Sequence, residues 1–399
     1  MLAKFLGLFK RPAKSTRLGR VVSQKPLRPF GAKCADATAL LKAKGYSGGK
    51  LLAYYPRVKQ NPFQQMLYAS GFESGFACFD ALSVDDLLAG PKGQPLIAHY
   101  HWLYNAMKGA KNAQDAASMA LVFLDKVRTQ KDAGHTVIWT VHNILSHNSA
   151  FPEEEATLRA EMAKLADHIH IMNPDTVALC APYYEVPEHK VFHVPHPSYS
   201  GVYGDYLSKT EARHTLGLQA ADKVFLLFGS MMPQKGSLRF LAQLDALQEA
   251  LQGRARIVIA GKANDEAYMA KVMRLIAGRG DVQLHSGYVG DQQVQLYFKA
   301  ADVAVCPYAL TLNSGVVMTA ASFGRPIVVP NALAGMLVDV ARQTAAYDIE
   351  DMDACIAACV KAVAISEVAD TEAVLRNWAQ SLAPRHVSNR FFDVLRGCL

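Results

Sequence analysis

The 399-residue chain has little charge for its length, with 19% charged residues against 51% hydrophobic ones. That balance excludes a disordered chain and supplies enough apolar surface for sizeable cores. Several motifs are missing as well. No Gly-x-Gly-x-x-Gly comes after an expected strand and no Gly-x4-Gly-Lys-Ser/Thr occurs, which disfavours a dinucleotide dehydrogenase and a P-loop NTPase. The seven cysteines (34, 78, 180, 306, 355, 359 and 398) contain no Cys-x-x-Cys. Cys355 and Cys359 lie one helical turn apart, which suits a packed helix face better than a zinc site. An odd, scattered set of thiols points to a reducing compartment. No internal repeat is present, and 27 glycines and 18 prolines are too few for a collagen-like or low-complexity chain. Near the N-terminus the longest apolar run, residues 5–9, is too short for a signal peptide. An uncharged window at 303–324 has the length of a bilayer span. It holds Pro307, Asn313, Ser314, Gly315, Thr319 and Ser322, so it reads as strand, loop and helix, and no transmembrane span is expected.

Acidic residues are absent from the first 35 positions, which carry nine basic ones: Lys4, Lys10, Arg11, Lys14, Arg17, Arg20, Lys25, Arg28 and Lys33. The rest of the chain has 33 basic against 35 acidic residues, so the formal charge of +7 belongs to this leader. A nucleic-acid enzyme would more often spread positive charge over its folded surface, and no nucleic-acid partner is expected. Within the leader, Leu2, Phe5, Leu6, Leu8 and Phe9 interleave with cations. A short amphipathic helix there would bury its apolar side in an anionic membrane surface. The expected location is cytoplasmic, peripheral on the inner face of the membrane. A floppy solubilising tail and a mitochondrial-type targeting leader are the alternatives.

Beyond the leader, strands alternate with helices. Strands are expected at 50–55, 95–100, 136–141, 168–172 and 190–194, with helices at 62–70, 112–131, 153–166 and 174–182 between them. Residues 196–208, rich in Pro, Gly, Ser and Tyr, read as an interdomain linker. A second series places strands at 223–228, 255–260, 282–284, 303–306 and 326–330, with helices at 236–251, 265–278, 291–300 and 314–323. Helices at 371–382 and 386–396 close the chain. Such alternation with apolar strands implies parallel sheets covered on both faces. The expected class is α/β, with two doubly wound Rossmann-like domains facing a cleft. The expected boundaries are a leader at 1–35, a first domain at 36–197, a second at 198–378, and a C-terminal helix at 379–399 packing back on the first.

Ligands of doubly wound sheets bind outside the carboxyl ends of the strands. After strand 223–228 come Gly229, Ser230, Lys235 and Gly236 before a helix. A glycine allows close backbone approach, and a lysine with a helix N-terminus favours a diphosphate. After strand 303–306, Asn313 or Ser314 caps the next helix and would aim free amides into the same cleft. Taken alone, the first loop is better read as a surface turn with an ordinary lysine, and the alternative for the second is a plain helix cap; the pair strengthens both. In the first half, His99, His101 and Trp102 end one strand, while His142 and Asn143 end another, with His147 close behind. These histidines are candidates for a base or for hydroxyl binding. The alternative is ordinary packing for one or two of them. Carboxylates are scarce at these strand ends, so no metal is expected.

The second half resembles the nucleotide-sugar domain of GT-B glycosyltransferases, of the family 4 type. The similar segments run in family order: FGSMMPQKG (228–236), VIAGKAND (258–265), HSGYVGDQQVQLYFKAADVAVCPY (285–308) and NSGVVMTAASFGRPIVVPN (313–331). Looser matches are NPFQQMLY (61–68), IAHYHWLYN (97–105) and TVHNILSHN (140–148). The resemblance implies a hexosyl transfer from a nucleotide-diphosphate sugar, GDP-mannose or a UDP-sugar, without a cofactor or metal. Lys235 would hold the diphosphate with Gly229, Ser230 and Gly236. Tyr288 and Val289 would lie against the base. Asn313, Ser314 and Gly315 would offer amides to phosphate or sugar. His142, with His101 second, would act near the reacting carbon, and His99, Trp102, Asn143 and Asn61 would line the acceptor side. Two places depart from the family. Thr311 and Thr319 stand where retaining members carry two glutamates, and Ser230, Met231 and Met232 stand where an arginine is usual. With the leader, the expected acceptor is a lipid-linked glycan in surface-polysaccharide synthesis. A non-catalytic scaffold of a glycan assembly complex and a nucleotide-sugar epimerase are the rival readings.

Overall fold

The computed structural model describes residues 29–59, 61–88, 95–146, 149–263, 265–309 and 311–399. Most of the basic leader (1–28) and His147 lie outside the described residues. The first sheet contains β1 (Lys50–Tyr55), β2 (Phe76–Asp80), β3 (Leu96–Tyr100), β4 (Thr136–Thr140), β5 (His168–Ile171) and β6 (Val191–His193). Its order is β2-β1-β3-β4-β5-β6, and every pairing is parallel. The second contains β7 (Lys223–Phe228), β8 (Ala255–Gly261), β9 (Val282–Ser286), β10 (Val303–Val305), β11 (Ile327–Pro330) and β12 (Thr344–Tyr347), in the order β12-β11-β10-β7-β8-β9, again all parallel.

Strand residues alternate between two cores, as the two-residue period requires. In the first sheet, Leu51, Ala98, Val137 and Ile169 pack on one side. Leu52, Ile97 and Ile138 pack on the other, where Val387, Phe391, Phe392 and Leu395 meet them. These last four belong to the helix Pro384–Cys398, so the end of the chain covers the second face of the first sheet. Ser388 fixes the crossing by donating to the Leu67 carbonyl at 2.7 Å.

Several elements differ from the sequence reading. The helix Phe30–Ala43 begins inside the stretch read as leader, because Phe30, Cys34, Ala37 and Leu41 form a buried face. The expected helix 236–251 is two short helices, Ser237–Leu241 and Leu244–Ala250. The expected linker is packed rather than loose: His196, Ser198 and Tyr199 are buried, and the Ser198 amide donates to the Leu382 carbonyl at 2.7 Å. Strands β2 and β12 were not foreseen, and the helix Met352–Ser366 was expected only as the packed face carrying Cys355 and Cys359. Cys355 and Cys359 are buried on that helix. Among the described residues, no helix is long and apolar enough to cross a membrane.

Candidate active site

Both sheets reverse their direction of winding once. In the first, β1 lies between β2 and β3; in the second, β7 lies between β8 and β10. A crevice opens at the carboxyl ends of strands at such a switch. The two crevices face each other, and a cavity of about 450 Å³ between them is lined by Trp102 and His142 from one domain and by Lys235 and Asn313 from the other.

The second domain's side is built backbone on backbone. Beyond β7, Gly229 turns with φ +104° and Gly236 with φ +67°. A Cβ at Gly236 would lie 1.8 Å from the Pro307 carbonyl oxygen, so only glycine lets this loop rest on the loop after β10. The Ala309 amide ties the two loops by donating to the Gln234 carbonyl at 3.0 Å. Lys235 is thereby held with its ammonium 3.7 Å from the centre of the Tyr308 ring. Among the described residues it forms no ion pair with a carboxylate. Burial without a counter-ion pulls its pKa down to about 8.

The loop after β10 leans on the first domain. Leu312 is buried with that domain's core. Asn173 donates to the Leu312 and Ala332 carbonyls, both at 2.9 Å. The Asn313 amide donates to the His142 carbonyl at 2.8 Å, so its side chain bridges the domains. Ser314 caps the helix Gly315–Ser322, its hydroxyl accepting from the Val317 amide, and Gly315 sits against the Tyr199 hydroxyl. Thr311 and Thr319 are buried. Their hydroxyls donate to the carbonyls of Asn313 and Gly315, at 2.9 and 2.7 Å. They therefore keep only acceptor capacity for anything in the cleft, and carry no charge.

On the first domain's side, His142 lies between two rings. Trp102 stacks on it with centroids 4.0 Å apart, and Phe63 meets it edge-on at 4.9 Å. Asn61 and Asn143 also line the cavity. The Asn61 side chain accepts from the Phe63 amide at 2.9 Å, at the start of a short helix. His101 and His99 do not reach the cleft: they are 1% and 0% exposed. His101 stands one ring behind His142, its Nδ1 3.0 Å from His142 Nε2. Its Nε2 is 2.7 Å from the Tyr68 hydroxyl, which is also 2.7 Å from His99 Nδ1. His99 Nε2 lies 2.7 Å from Thr140 Oγ1, which lies 3.0 Å from His170 Nδ1. His170 Nε2 meets the Val194 carbonyl at 2.9 Å. The expected direct roles of His101 and His99 are thus corrected, because packing and hydrogen bonds occupy both rings. Burial, reinforced by neighbouring histidines, holds His99, His101 and His142 well below the usual histidine range and brings His170 to about 4.

A second cavity, of about 370 Å³, opens at the ends of β7, β8 and β9. Gly229, Ser230, Tyr288 and Val289 line it, together with Tyr203, Lys59 and Lys262. Tyr288 is 72% exposed, leaving a ring face free for stacking.

Sequence reasoning missed some groups. Lys59 and Lys262 stand just past β1 and β8, so the strand-end rule would have found them. Arg159 and Glu155 form a buried pair at 2.7 Å. Glu155 also accepts from the Ser146 amide and hydroxyl, and Arg159 donates to the Asn143 carbonyl at 2.9 Å. Together they hold the loop that comes after His142. Their only signal was an i,i+4 spacing, which surface helices share.

Residues 222–364, within the second domain, match the profile of the family described as glycosyl transferases group 1. No curated protein matches the chain. Among solved structures, the chain is similar to Anabaena HepE in complex with UDP and glucose: 14% identity, 88% of this chain, 100% of that one, TM-score 0.63. It is also similar to sucrose-phosphate synthase from Thermosynechococcus elongatus: 12% identity, 87% and 98% covered, TM-score 0.65. A third likeness is to an α,α-trehalose-phosphate synthase (UDP-forming) from Burkholderia vietnamiensis: 13% identity, 88% and 98% covered, TM-score 0.57. Two facing doubly wound domains define the GT-B fold. The chain thus has the GT-B fold, and its second domain carries the match to the glycosyl transferases group 1 family.

Proposed function

We propose that the protein moves a hexose from a nucleotide-diphosphate sugar, a UDP-sugar or GDP-mannose, to a sugar acceptor. The observation that carries this reading is Lys235, an ammonium sunk in the interdomain cleft with no carboxylate to neutralise it among the described residues. A diphosphate supplies the missing charge. Departure of the diphosphate is the difficult step of glycosyl transfer. Lys235 and the amides at the start of the helix Gly315–Ser322 are fixed where that charge develops, so the leaving group needs no metal. Gly229, Ser230, Tyr288 and Val289 take the nucleoside, in keeping with the UDP-bound HepE structures. His142 lies on the acceptor side and receives the hydroxyl proton, with Trp102, Asn143 and Asn61 around the sugar. The transition state has oxocarbenium character.

The basic leader directs the enzyme to anionic membrane and to a lipid-linked glycan acceptor, on the cytoplasmic face. Deleting residues 1–28 is expected to release the protein from vesicles containing anionic lipid without altering nucleotide binding. Retained vesicle binding would put the membrane contact on the folded domains.

Thermal unfolding with UDP, GDP, ADP and their sugars tests the central reading. A ligand present at 100 times its Kd stabilises by about 2.7 kcal/mol, which a melting curve resolves. A shift with one nucleotide series names the base. The uncharged Thr311 and Thr319 favour a second reading, a non-catalytic scaffold, and no shift with any nucleotide would support it.

A further inference from the structure

Behind His142 the buried groups form a single file: Val194 carbonyl, His170, Thr140, His99, Tyr68, His101, His142. The file has a direction, because its far end can only accept. The Val194 oxygen requires the hydrogen on His170 Nε2. A neutral imidazole has one N–H hydrogen, so His170 Nδ1 carries a lone pair and the Thr140 hydroxyl donates to it. That hydroxyl has no second hydrogen, so His99 must donate from Nε2. By the same count Tyr68 donates to His99 Nδ1 and accepts from His101 Nε2. His101 Nδ1 is then a lone pair, and His142 donates to it from Nε2.

We propose that this file is a positioning device for glycosyl transfer: Thr140, Tyr68, His99, His101 and His170 hold His142 as the Nε2–H tautomer and turn its Nδ1 lone pair to the substrate hydroxyl. The proposal rests on the reading above that His142 faces the sugars. The opposite tautomer would reverse every bond and leave two acceptors, His170 Nε2 and the Val194 oxygen, facing each other at 2.9 Å. A carbonyl is a dead end for protons, so the file sets a state rather than carrying protons to solvent. Burial keeps its imidazoles neutral, and Phe391 from the C-terminal helix lies flat on His99, with ring centres 5.6 Å apart. Sequence spacing gives no hint of this link, since the side chains come from four separate segments between Tyr68 and His170.

Nitrogen-15 NMR of histidine-labelled protein at neutral pH reads the tautomer directly. The expected result is a pyridine-type Nδ1 and a pyrrole-type Nε2 for His142. A hydrogen on His142 Nδ1 in the unmodified protein would overturn the proposal, whatever its activity. Tyr68→Phe removes the central hydroxyl. It is expected to mix the two tautomers and lower kcat about tenfold, near the low end of what one lost buried hydrogen bond is worth. The donor KM should stay within about twofold. Thr140→Val should act likewise, while Thr140→Ser, which keeps a hydroxyl, should restore both tautomer and rate. Variants with a mixed tautomer and normal kcat would sink the positioning role. Loss of nucleotide binding in the unmodified protein would instead sink the glycosyltransferase reading and leave the tautomer measurement standing.

Discussion

Lys235 is held in a state that costs stability. An ammonium whose pKa is drawn from 10.5 to about 8 disfavours folding at neutral pH by on the order of 3 kcal/mol, at 1.36 kcal/mol per unit. The unfolded chain binds more protons between pH 8 and 10.5, so this cost fades as pH rises through that window. The contact with Tyr308 returns part of it. Lys235→Met, which fills similar space without charge, is therefore expected to melt higher than the unmodified protein. The same variant should lose its stabilisation by nucleotide diphosphates. Nucleotide affinity of the unmodified protein should weaken as pH climbs past about 8, where the ammonium discharges; calorimetric titration across pH 7 to 9.5 reads this. A lower melting point for Lys235→Met, with nucleotide binding retained, would mean that the lysine serves packing.

At the scale of elements, the site is two loops pressed together. Gly236 carries the contact, since its φ of +67° costs an L-residue about 1–2 kcal/mol before the clash with the Pro307 carbonyl is counted. Gly236→Ala is expected to separate the β7 and β10 loops and abolish nucleotide-induced stabilisation while far-UV circular dichroism stays native, because the sheet beneath has its own cores. Unchanged nucleotide binding would place the anion elsewhere. Here the sequence was informative: strand-end loops with glycine, lysine and a helix cap marked the two loops that the fold presses together. It was silent on β2, a short edge strand, and gave only the Cys355–Cys359 face of the helix Met352–Ser366, whose mostly apolar sequence offers little contrast to mark its extent. It also misjudged 236–251, where the helical spacing is kept through a break at 242–243.

At the scale of the whole molecule, the C-terminal helix, the buried 196–199 segment and Asn173 lock the two domains together around a set of neutral histidines. Unfolded histidines titrate near 6.5, whereas His170 and His196 are held at about 4 in the fold by burial. The unfolded chain therefore binds more protons between these values, and stability must fall as pH drops through that window. Scanning calorimetry from pH 7.5 to 4.5 should give a level melting temperature above 6.5 and a steep decline below it. A level profile throughout would mean that these rings are charged in the folded protein.

The chain by itself determined the two series of alternating strands and helices, hence parallel sheets covered on both faces, and the loops where Lys235, Ser314 and His142 would lie. Those are local properties: periodicity, caps and strand ends are written within a few residues. Only the tertiary structure decided which histidine meets the cleft. Spacing treats His99, His101 and His142 alike, but β3 and β4 run side by side, so that one ring faces the cavity and the others line up behind it. Packing likewise turned Asn313 into a bridge between domains and spent the hydroxyl hydrogens of Thr311 and Thr319 on their own backbone. Such roles depend on neighbours distant in sequence, and nothing in the local order of residues encodes them.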